Sequence, residues 1–371
     1  MKYFLIAGEA SGDLHASALM RALRKEDPAA EFRYMGGEGM EAVSPGMVMH
    51  YKETSYMMLD VLFHLRKIFR NLALVKKQIA EWKPDVVIPV DYPGFNMRIL
   101  RFAARKGFRV YYYISPKVWA WKQRRVKDLR RHASRVFVIF PFEVEWFAGK
   151  GMEVSYLGNP LMDGRSEFIR NFSPEQWKRE QGLDQRPLVA LLPGSRRSEI
   201  KGLLPVMLDI ARAHPESQFV VAGAPSMPVE FYAPLLNSSG VKLIHDSTYA
   251  LLASAQTALV TSGTATLETA LFKVPQVVMY RTSSLAYSIA KRLIRVKHIS
   301  LVNLILDRPL VREVIQKKLL DGTREEFERI HGDGTPRQAI LSGYEELGTA
   351  LGESGVSHRI AVEMIKRTGS K

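Results

Sequence analysis

The run Tyr3-Phe4-Leu5-Ile6-Ala7, the turn Gly8-Glu9-Ala10-Ser11-Gly12-Asp13, and then Leu14, Ala18, Leu19, Ala22 and Leu23 decide how this chain is read. The first piece is a continuous apolar run of strand length. The second holds two glycines and two acids. The third recurs at helical spacing. Together they predict a strand, a tight turn and a helix. Further β-rich runs stand at Val86–Val90, Val110–Ile114 and Val136–Phe140, with a helical pattern over Met97–Lys106. The pattern restarts at Leu188–Leu192, which ends in Pro193-Gly194-Ser195-Arg196-Arg197. Phe219–Ala222, Val241–Ile244, Ala258–Val260 and Gln276–Tyr280 follow.

Apolar strands alternating with helices predict parallel sheets covered on both faces. The expected class is α/β, with two Rossmann-like doubly wound domains facing across a cleft and ligands at the carboxyl ends of the strands. Met162–Pro187 is polar and charged, with Pro174 and Pro187, and is read as a linker. Residues 344–371 read as a helical tail whose host domain the sequence leaves open. The expected divisions are 1–165, 166–343 and 344–371.

Composition narrows the function classes. At 371 residues, 46% hydrophobic and 25% charged, the chain is an ordinary globular protein, not a disordered or collagen-like one. It has no cysteine, which excludes a disulfide scaffold, a thiolate metal site and a cysteine nucleophile. Lys and Arg number 53 against 38 acids, a net +15 that favours anionic partners such as phosphorylated metabolites, nucleic acid or an acidic membrane. The start is too quickly interrupted by Glu9 and Asp13 for a signal peptide. The longest uncharged stretch, Ser247–Leu267, is too rich in Ser, Thr and Gln for a membrane span. A cytoplasmic protein is the expectation. The nine histidines form no H-E-x-x-H or similar pair, so neither a metal nor a cofactor is expected.

Six places could carry chemistry. Glu9, Ser11, Gly12 and Asp13 open a helix after a strand; the acids suit hydroxyl recognition or proton transfer better than phosphate, unless Asp13 merely caps the helix. Asp91 ends the apolar strand Val86–Val90, where partial burial would raise its pKa and suit it as a general base; the alternative is an Asx-turn into Pro93-Gly94. Ser115-Pro116-Lys117-Val118-Trp119-Ala120-Trp121-Lys122-Gln123-Arg124-Arg125 puts two tryptophans and four cations in one loop, fit for a sugar or anionic head group, or else a packed pair beside a solvated helix. Ser195 and Arg196 close Leu192–Arg197, where a guanidinium could neutralise a leaving diphosphate. Ser262, Gly263, Thr264, Ala265 and Thr266 precede or open a helix expected to start at about Ala265, whose amides would face an anion, with Glu268 one turn on and within reach of ribose hydroxyls. Lastly, Met58, Leu62, Leu65, Phe69 and Leu72 make an apolar stripe beside Arg66, Lys67 and Arg70, either an interfacial membrane helix or a core face. Lys291–Lys297 is a weaker basic patch.

Seven motifs in order give the chain a family resemblance: GEASGD at Gly8–Asp13, VDYPGFN at Val90–Asn96, ISPKVWAWKQRR at Ile114–Arg125, FPFE at Phe140–Glu143, LLPGSR at Leu191–Arg196, TSGTATLE at Thr261–Glu268 and SLVNLIL at Ser300–Leu306. The chain resembles the lipid-A-disaccharide synthases, inverting glycosyltransferases of the GT-B fold. The resemblance implies a reaction joining UDP-2,3-diacylglucosamine to 2,3-diacylglucosamine 1-phosphate (lipid X). The products are the β-1,6-linked disaccharide 1-phosphate and UDP. It implies an N-terminal domain that binds acceptor and membrane, with Met58, Leu62, Leu65, Arg66, Phe69 and Arg70 at the bilayer, and a C-terminal domain that binds UDP. Asp91 matches the proposed base, with Glu9 and Asp13 as alternatives. Arg196 and the Ser262–Thr266 helix start would stabilise the leaving UDP. Asn96, Ser115, Trp119 and Asn303 would contact substrate. A peripheral position on the cytoplasmic face of the inner membrane is implied, and a homodimer is among the implied arrangements. Gly158-Asn159-Pro160 departs from the commoner Gly-His-Pro and is shared with the lipid II-forming N-acetylglucosaminyltransferase, the alternative reading. A non-catalytic basic membrane or nucleic-acid binder is the third, although no nucleic-acid motif supports it.

Overall fold

A computed structural model describes residues 1–53, 65–237, 239–283, 287 and 297–369. The chain divides into two units, one made of Met1–Asp163 and Gly352–Lys371, the other of Gly164–Leu351.

The first unit is built on seven parallel strands: β1 (Lys2–Ala7), β2 (Glu31–Gly36), β3 (Met47–His50), β4 (Val86–Val90), β5 (Arg109–Tyr113), β6 (Arg135–Val138) and β7 (Ser155–Tyr156), in the order β3-β2-β1-β4-β5-β6-β7. Alternation along β1 sorts the core. Phe4 and Ile6 face a cluster with Leu72, Val75 and Ile79 of helix Leu65–Trp82, Ile99 and Leu100 of helix Pro93–Arg105, and Leu129 of helix Arg125–His132. Tyr3 and Leu5 face the other way, onto Leu19 and Leu23 of helix Ala10–Glu26 and Val356, Ile360 and Met364 of helix Val356–Gly369. Burying each of those large aliphatic side chains contributes roughly 2 kcal/mol.

The second unit repeats the plan with six parallel strands: β8 (Leu188–Leu192), β9 (Gln218–Gly223), β10 (Lys242–His245), β11 (Thr257–Thr261), β12 (Gln276–Tyr280) and β13 (Glu313–Ile315), in the order β10-β9-β8-β11-β12-β13. In both sheets the order reverses beside the first strand of the unit, so β1 and β4, and β8 and β11, flank a topological switch point.

Two expectations about organisation need correction. The segment read as a linker holds helices Leu161–Arg170 and Pro174–Glu180, and Phe168, Phe172 and Trp177 pack into the second core. Ser173 caps the latter helix, its Oγ accepting from the Gln176 amide at 3.4 Å, and Pro174 sits at the first helical position. Pro174, read as part of the linker, is a helix start signal. The tail also divides. Helix Thr335–Leu351 belongs to the second unit, while Gly352 onward belongs to the first. Asp163 fastens the returning segment: its carboxylate accepts from the amides of Gly355 (2.6 Å), Val356 (2.9 Å) and Ser357 (2.8 Å) at the helix start.

Candidate active site

The turn after β4 is strained. Asp91 and Tyr92 both take left-handed φ values, 41° and 44°, which costs on the order of 1 kcal/mol or more each. Asn96, fully buried on the next helix, holds the turn: its Nδ2 donates to the carbonyls of Asp91 (2.9 Å), Val90 (3.0 Å) and Ile6 (3.1 Å). The Tyr112 hydroxyl donates to the Asp91 carbonyl at 2.7 Å. Asn96 was expected to touch substrate; its place inside the turn makes it a brace for Asp91.

The Asp91 side chain is half-buried at the carboxyl end of β4. Burial pushes its pKa up to about 6; Lys117 opposes that rise and Glu9 adds to it. Glu9 is exposed at the cap of helix Ala10–Glu26, where its side chain makes no capping bond. Ser11 is exposed beside it, and Gly12 is buried over Ala7. Gly8 is required by close approach: a Cβ there would lie 2.1 Å from the Tyr92 ring.

Asp13 is not available as a sugar contact or an alternative base. It is buried, and its oxygens accept from the amides of Gly37 (2.6 Å), Gly39 (2.8 Å) and Met40 (3.2 Å). The acid that ends GEASGD thus fixes the turn after β2. Ser115 and Trp119 are corrected in the same way. Both are buried, and Ser115 Oγ (2.7 Å) and Trp119 Nε1 (3.2 Å) donate to Oε1 of Glu143. Oε2 of Glu143 accepts from the amides of Ile139 (3.1 Å) and Phe140 (3.0 Å). Burial raises the Glu143 pKa to about 7 against the pull of those four donors. Glu143 was not singled out from the sequence; the FPFE motif was its one visible signal. Trp121, by contrast, is 46% exposed, with Lys122 Nζ 4.2 Å and the Arg125 guanidinium 5.6 Å from its ring centroid.

In the second unit the turn after β8 is fixed by Glu199. Its Oε2 accepts from the amides of Ser195 (3.2 Å) and Arg196 (3.3 Å), and its Oε1 from the Arg196 guanidinium (2.9 Å). Gly194 stands at φ 110°, and a Cβ there would meet Glu199 at 2.6 Å. The Arg196 side chain, 72% exposed, is therefore oriented while its outer face meets solvent.

The helix after β11 runs from Thr264 to Leu271 with Gly263 at its cap. Ser262 Oγ donates to the Ile299 carbonyl (2.8 Å). Thr264 is exposed and Ala265 half-buried. Thr266 leaves the expected anion-facing set: its amide (3.2 Å) and hydroxyl (2.8 Å) both donate to the Gly263 carbonyl, and the side chain is fully buried. Glu268, half-buried, hydrogen-bonds Tyr249, and burial raises its pKa. Asn303 is corrected as well. It is buried, with Nδ2 donating to the Val311 carbonyl (2.8 Å) and to Glu313 (2.9 Å) and Oδ1 accepting from the Val311 amide (2.9 Å).

Of the residues expected at a membrane, Met58 and Leu62 lie outside the described residues. Leu65 begins helix Leu65–Trp82. Arg66 and Arg70 are exposed, Phe69 is 56% exposed, and Leu72 joins the core. Most of the Lys291–Lys297 patch also lies outside the described residues. Among the described residues no three His, Asp or Glu side chains group as metal ligands.

The chain matches the lipid-A-disaccharide synthetase family over residues 3–329. The lipid-A-disaccharide synthase of Geobacter metallireducens is 37% identical over 385 aligned residues, covering 100% of this chain and 98% of that protein. That of Myxococcus xanthus is 34% identical over 374 residues, covering 98% and 97%. Among solved structures, the chain shares its fold with a UDP-GlcNAc 2-epimerase of Methanocaldococcus jannaschii (TM-score 0.68, 14% identity, 99% and 100% covered). It shares it also with the calicheamicin glycosyltransferase (TM-score 0.61, 15% identity, 99% and 98% covered). Built of two doubly wound units and matched over almost its whole length, the chain belongs to the lipid-A-disaccharide synthase family of glycosyltransferases.

Proposed function

We propose that the chain joins UDP-2,3-diacylglucosamine to 2,3-diacylglucosamine 1-phosphate with inversion at the donor's anomeric carbon. The acceptor's 6-hydroxyl oxygen forms the new bond to that carbon while the bond to the UDP oxygen breaks, and UDP leaves with the electron pair. Asp91 takes the hydroxyl proton. The observation that carries this reading is Asp91 itself: a carboxylate at a strand terminus, held by a strained and braced turn, with a pKa raised to about 6. A base with that pKa is ionised at neutral pH yet basic enough to accept a proton as the hydroxyl attacks. Glu9 is the second acid facing that turn. The oriented guanidinium of Arg196, the helix start at Gly263–Ala265 and Glu268 support a UDP site in the second unit, where charge grows on the leaving diphosphate.

The membrane part of the proposal rests on charge. Helices Leu65–Trp82, Pro93–Arg105, Arg125–His132 and Phe142–Ala148 cover one face of the first sheet and carry twelve Lys and Arg against four acids, Glu81, Asp128, Glu143 and Glu145. The three helices on the opposite face, Ala10–Glu26, Glu38–Glu41 and Val356–Gly369, carry six against five. The basic layer, with exposed Phe69, suits an anionic lipid surface, where each cation contributes up to about 1 kcal/mol. No described helix is long and apolar enough to cross a membrane. A peripheral place on the cytoplasmic face of the inner membrane and a homodimer complete the proposal, both on family resemblance.

The lipid II-forming transferase is disfavoured. Its likeness rests on Gly158-Asn159-Pro160, and Asn159 is fully buried, its Nδ2 donating to the Ile139 carbonyl and its Oδ1 accepting from the Leu161 amide, each at 3.0 Å. The test is mass-spectrometric product analysis with both acylated substrates and EDTA. A tetraacyl disaccharide phosphate with UDP is expected. A folded, UDP-binding protein that makes none overturns the substrate assignment.

A further inference from the structure

We propose that Glu143 is a positioning residue for the reaction: by gripping Ser115 and Trp119 it fixes the loop between them and so sets the Lys117 ammonium at the strand end where Asp91 stands.

Tyr113, the last residue of β5, accepts the Asp91 amide through its carbonyl at 3.0 Å, so the two strand ends are tied side by side. The chain then turns sharply. Ile114 takes φ 59°, a conformation a β-branched residue rarely adopts, and the loop beyond it has no ladder of its own. Something outside the loop must hold it.

Glu143 does so from a different element, the first turn of helix Phe142–Ala148 after β6. One oxygen secures its own turn through the amides of Ile139 and Phe140. The other reaches across to Ser115 at 2.7 Å and Trp119 at 3.2 Å. Those residues lie two before and two after Lys117. The Trp119 ring is also wedged edge-on against Phe142 (5.2 Å) and Phe140 (6.5 Å), which stack on each other at 5.6 Å. Lys117 alone in the middle of the grip is exposed, and it is the cation that acts on the Asp91 carboxylate.

A carboxylate is a costly choice for a mere turn. It is buried with four dipolar donors and, among the described residues, no ion-pair partner, and Ser or Asn would cap the turn without burying a charge. The second oxygen's reach across to β5 is what the acid adds. All four acceptor directions are filled in the ionised form.

The inference rests on Asp91 as the base, and its test has one readout that needs no substrate. In the full-length protein, Ser115→Ala/Trp119→Phe removes the two loop bonds and leaves those of Glu143 to Ile139 and Phe140. The Asp91 carboxyl carbon is titrated by carbon-13 NMR, its signal identified by its loss in Asp91→Asn. The double variant is expected to titrate at higher pH than wild type, because Lys117 is no longer held. Lys117→Gln should reproduce that shift, and adding it to the double variant should move it no further. With both lipid substrates, kcat should fall at least tenfold with KM within about twofold, and Ser115→Thr should retain most activity. An unmoved Asp91 titration overturns the proposal. So does a rise in KM at unchanged kcat, which would make Ser115 and Trp119 substrate contacts, or a lowered Tm with unchanged kcat, which would make the cluster purely structural. Absence of turnover in wild type would count against the proposed reaction, while the titration still decides the grip.

Discussion

At the end of β4 a half-buried carboxylate, Asp91, sits in a turn braced from within by Asn96 and Tyr112, whereas after β8 the Arg196 guanidinium stands mostly in solvent, steered by one neighbouring acid, Glu199. Both turns end strands beside a switch point, and both follow an apolar run of five residues. They differ in what surrounds the charge. In the first unit, polar residues pack inward: Asp13, Asn96, Ser115, Trp119 and Glu143 all bond backbone or each other. Burial there raises the proton affinity of Asp91 and of Glu143. In the second unit, exposure preserves a fixed positive charge, and orientation is all the fold needs to supply. A proton acceptor gains from a dry setting; a phosphate ligand such as Arg needs none, because it is charged at every relevant pH.

The sharpest way to break this comparison is Asp13→Ala against Asp91→Asn. Asp13→Ala strips the acceptor from three amides and should cost about 4 kcal/mol of stability by denaturant unfolding. Asp91→Asn should leave the unfolding midpoint nearly unchanged while lowering kcat by roughly 10³-fold. If the two effects exchange, the division into brace and base is reversed. The same carboxyl sets the pH dependence. With a pKa near 6 in the free enzyme, it must lose its proton to work, so kcat/KM should fall tenfold per pH unit as pH drops below about 6 and level off above it.

Arg196→Ala should slow turnover by roughly 30-fold through lost charge on the leaving diphosphate, with almost no loss of stability because the side chain is exposed. Arg196→Lys keeps the charge but not the planar guanidinium that Glu199 orients, and should fall between. Equal rates for all three proteins would remove Arg196 from the chemistry. The last effect concerns the basic layer. Phe69→Ser should weaken binding to anionic liposomes by up to about 30-fold, the worth of one buried aromatic, without shifting Tm. A large drop in Tm would mean Phe69 is core after all.

The two sheets were legible because apolar runs of strand length at regular spacing have few other uses. Val86–Val90, Leu188–Leu192 and Gln276–Tyr280 stand at their expected bounds. Strands β2 and β3 were not foreseen: Glu31-Phe32-Arg33-Tyr34-Met35-Gly36 mixes charge into the run, and Met47–His50 is short. The site was legible in part. Motif position pointed to the right turns, but not to which polar atoms face inward. Asp13, Asn96 and Asn303 look like ligand contacts in sequence because nothing local reveals that their partners are backbone amides and carbonyls, 24 to 27 residues away for Asp13, 5 to 90 for Asn96 and 8 for Asn303. Glu143 was overlooked for the same reason, since its partners lie 24 and 28 residues away.

The returning segment Gly352–Lys371 makes the first unit discontinuous in sequence, with the whole second unit inserted between its parts. On the ribosome this sets an order of assembly. Helix Ala10–Glu26 emerges early, yet Val356, Ile360 and Met364, which cover its Leu19 and Leu23, are synthesised only after the second unit is complete. The second unit, being contiguous, can close first, while the nascent first unit keeps an apolar face uncovered through nearly two hundred residues of elongation, about 10–40 s at roughly 5–20 residues per second. In that interval the face is open to chaperones or to misassembly. Premature termination near residue 352 would therefore damage the beginning of the protein more than its end.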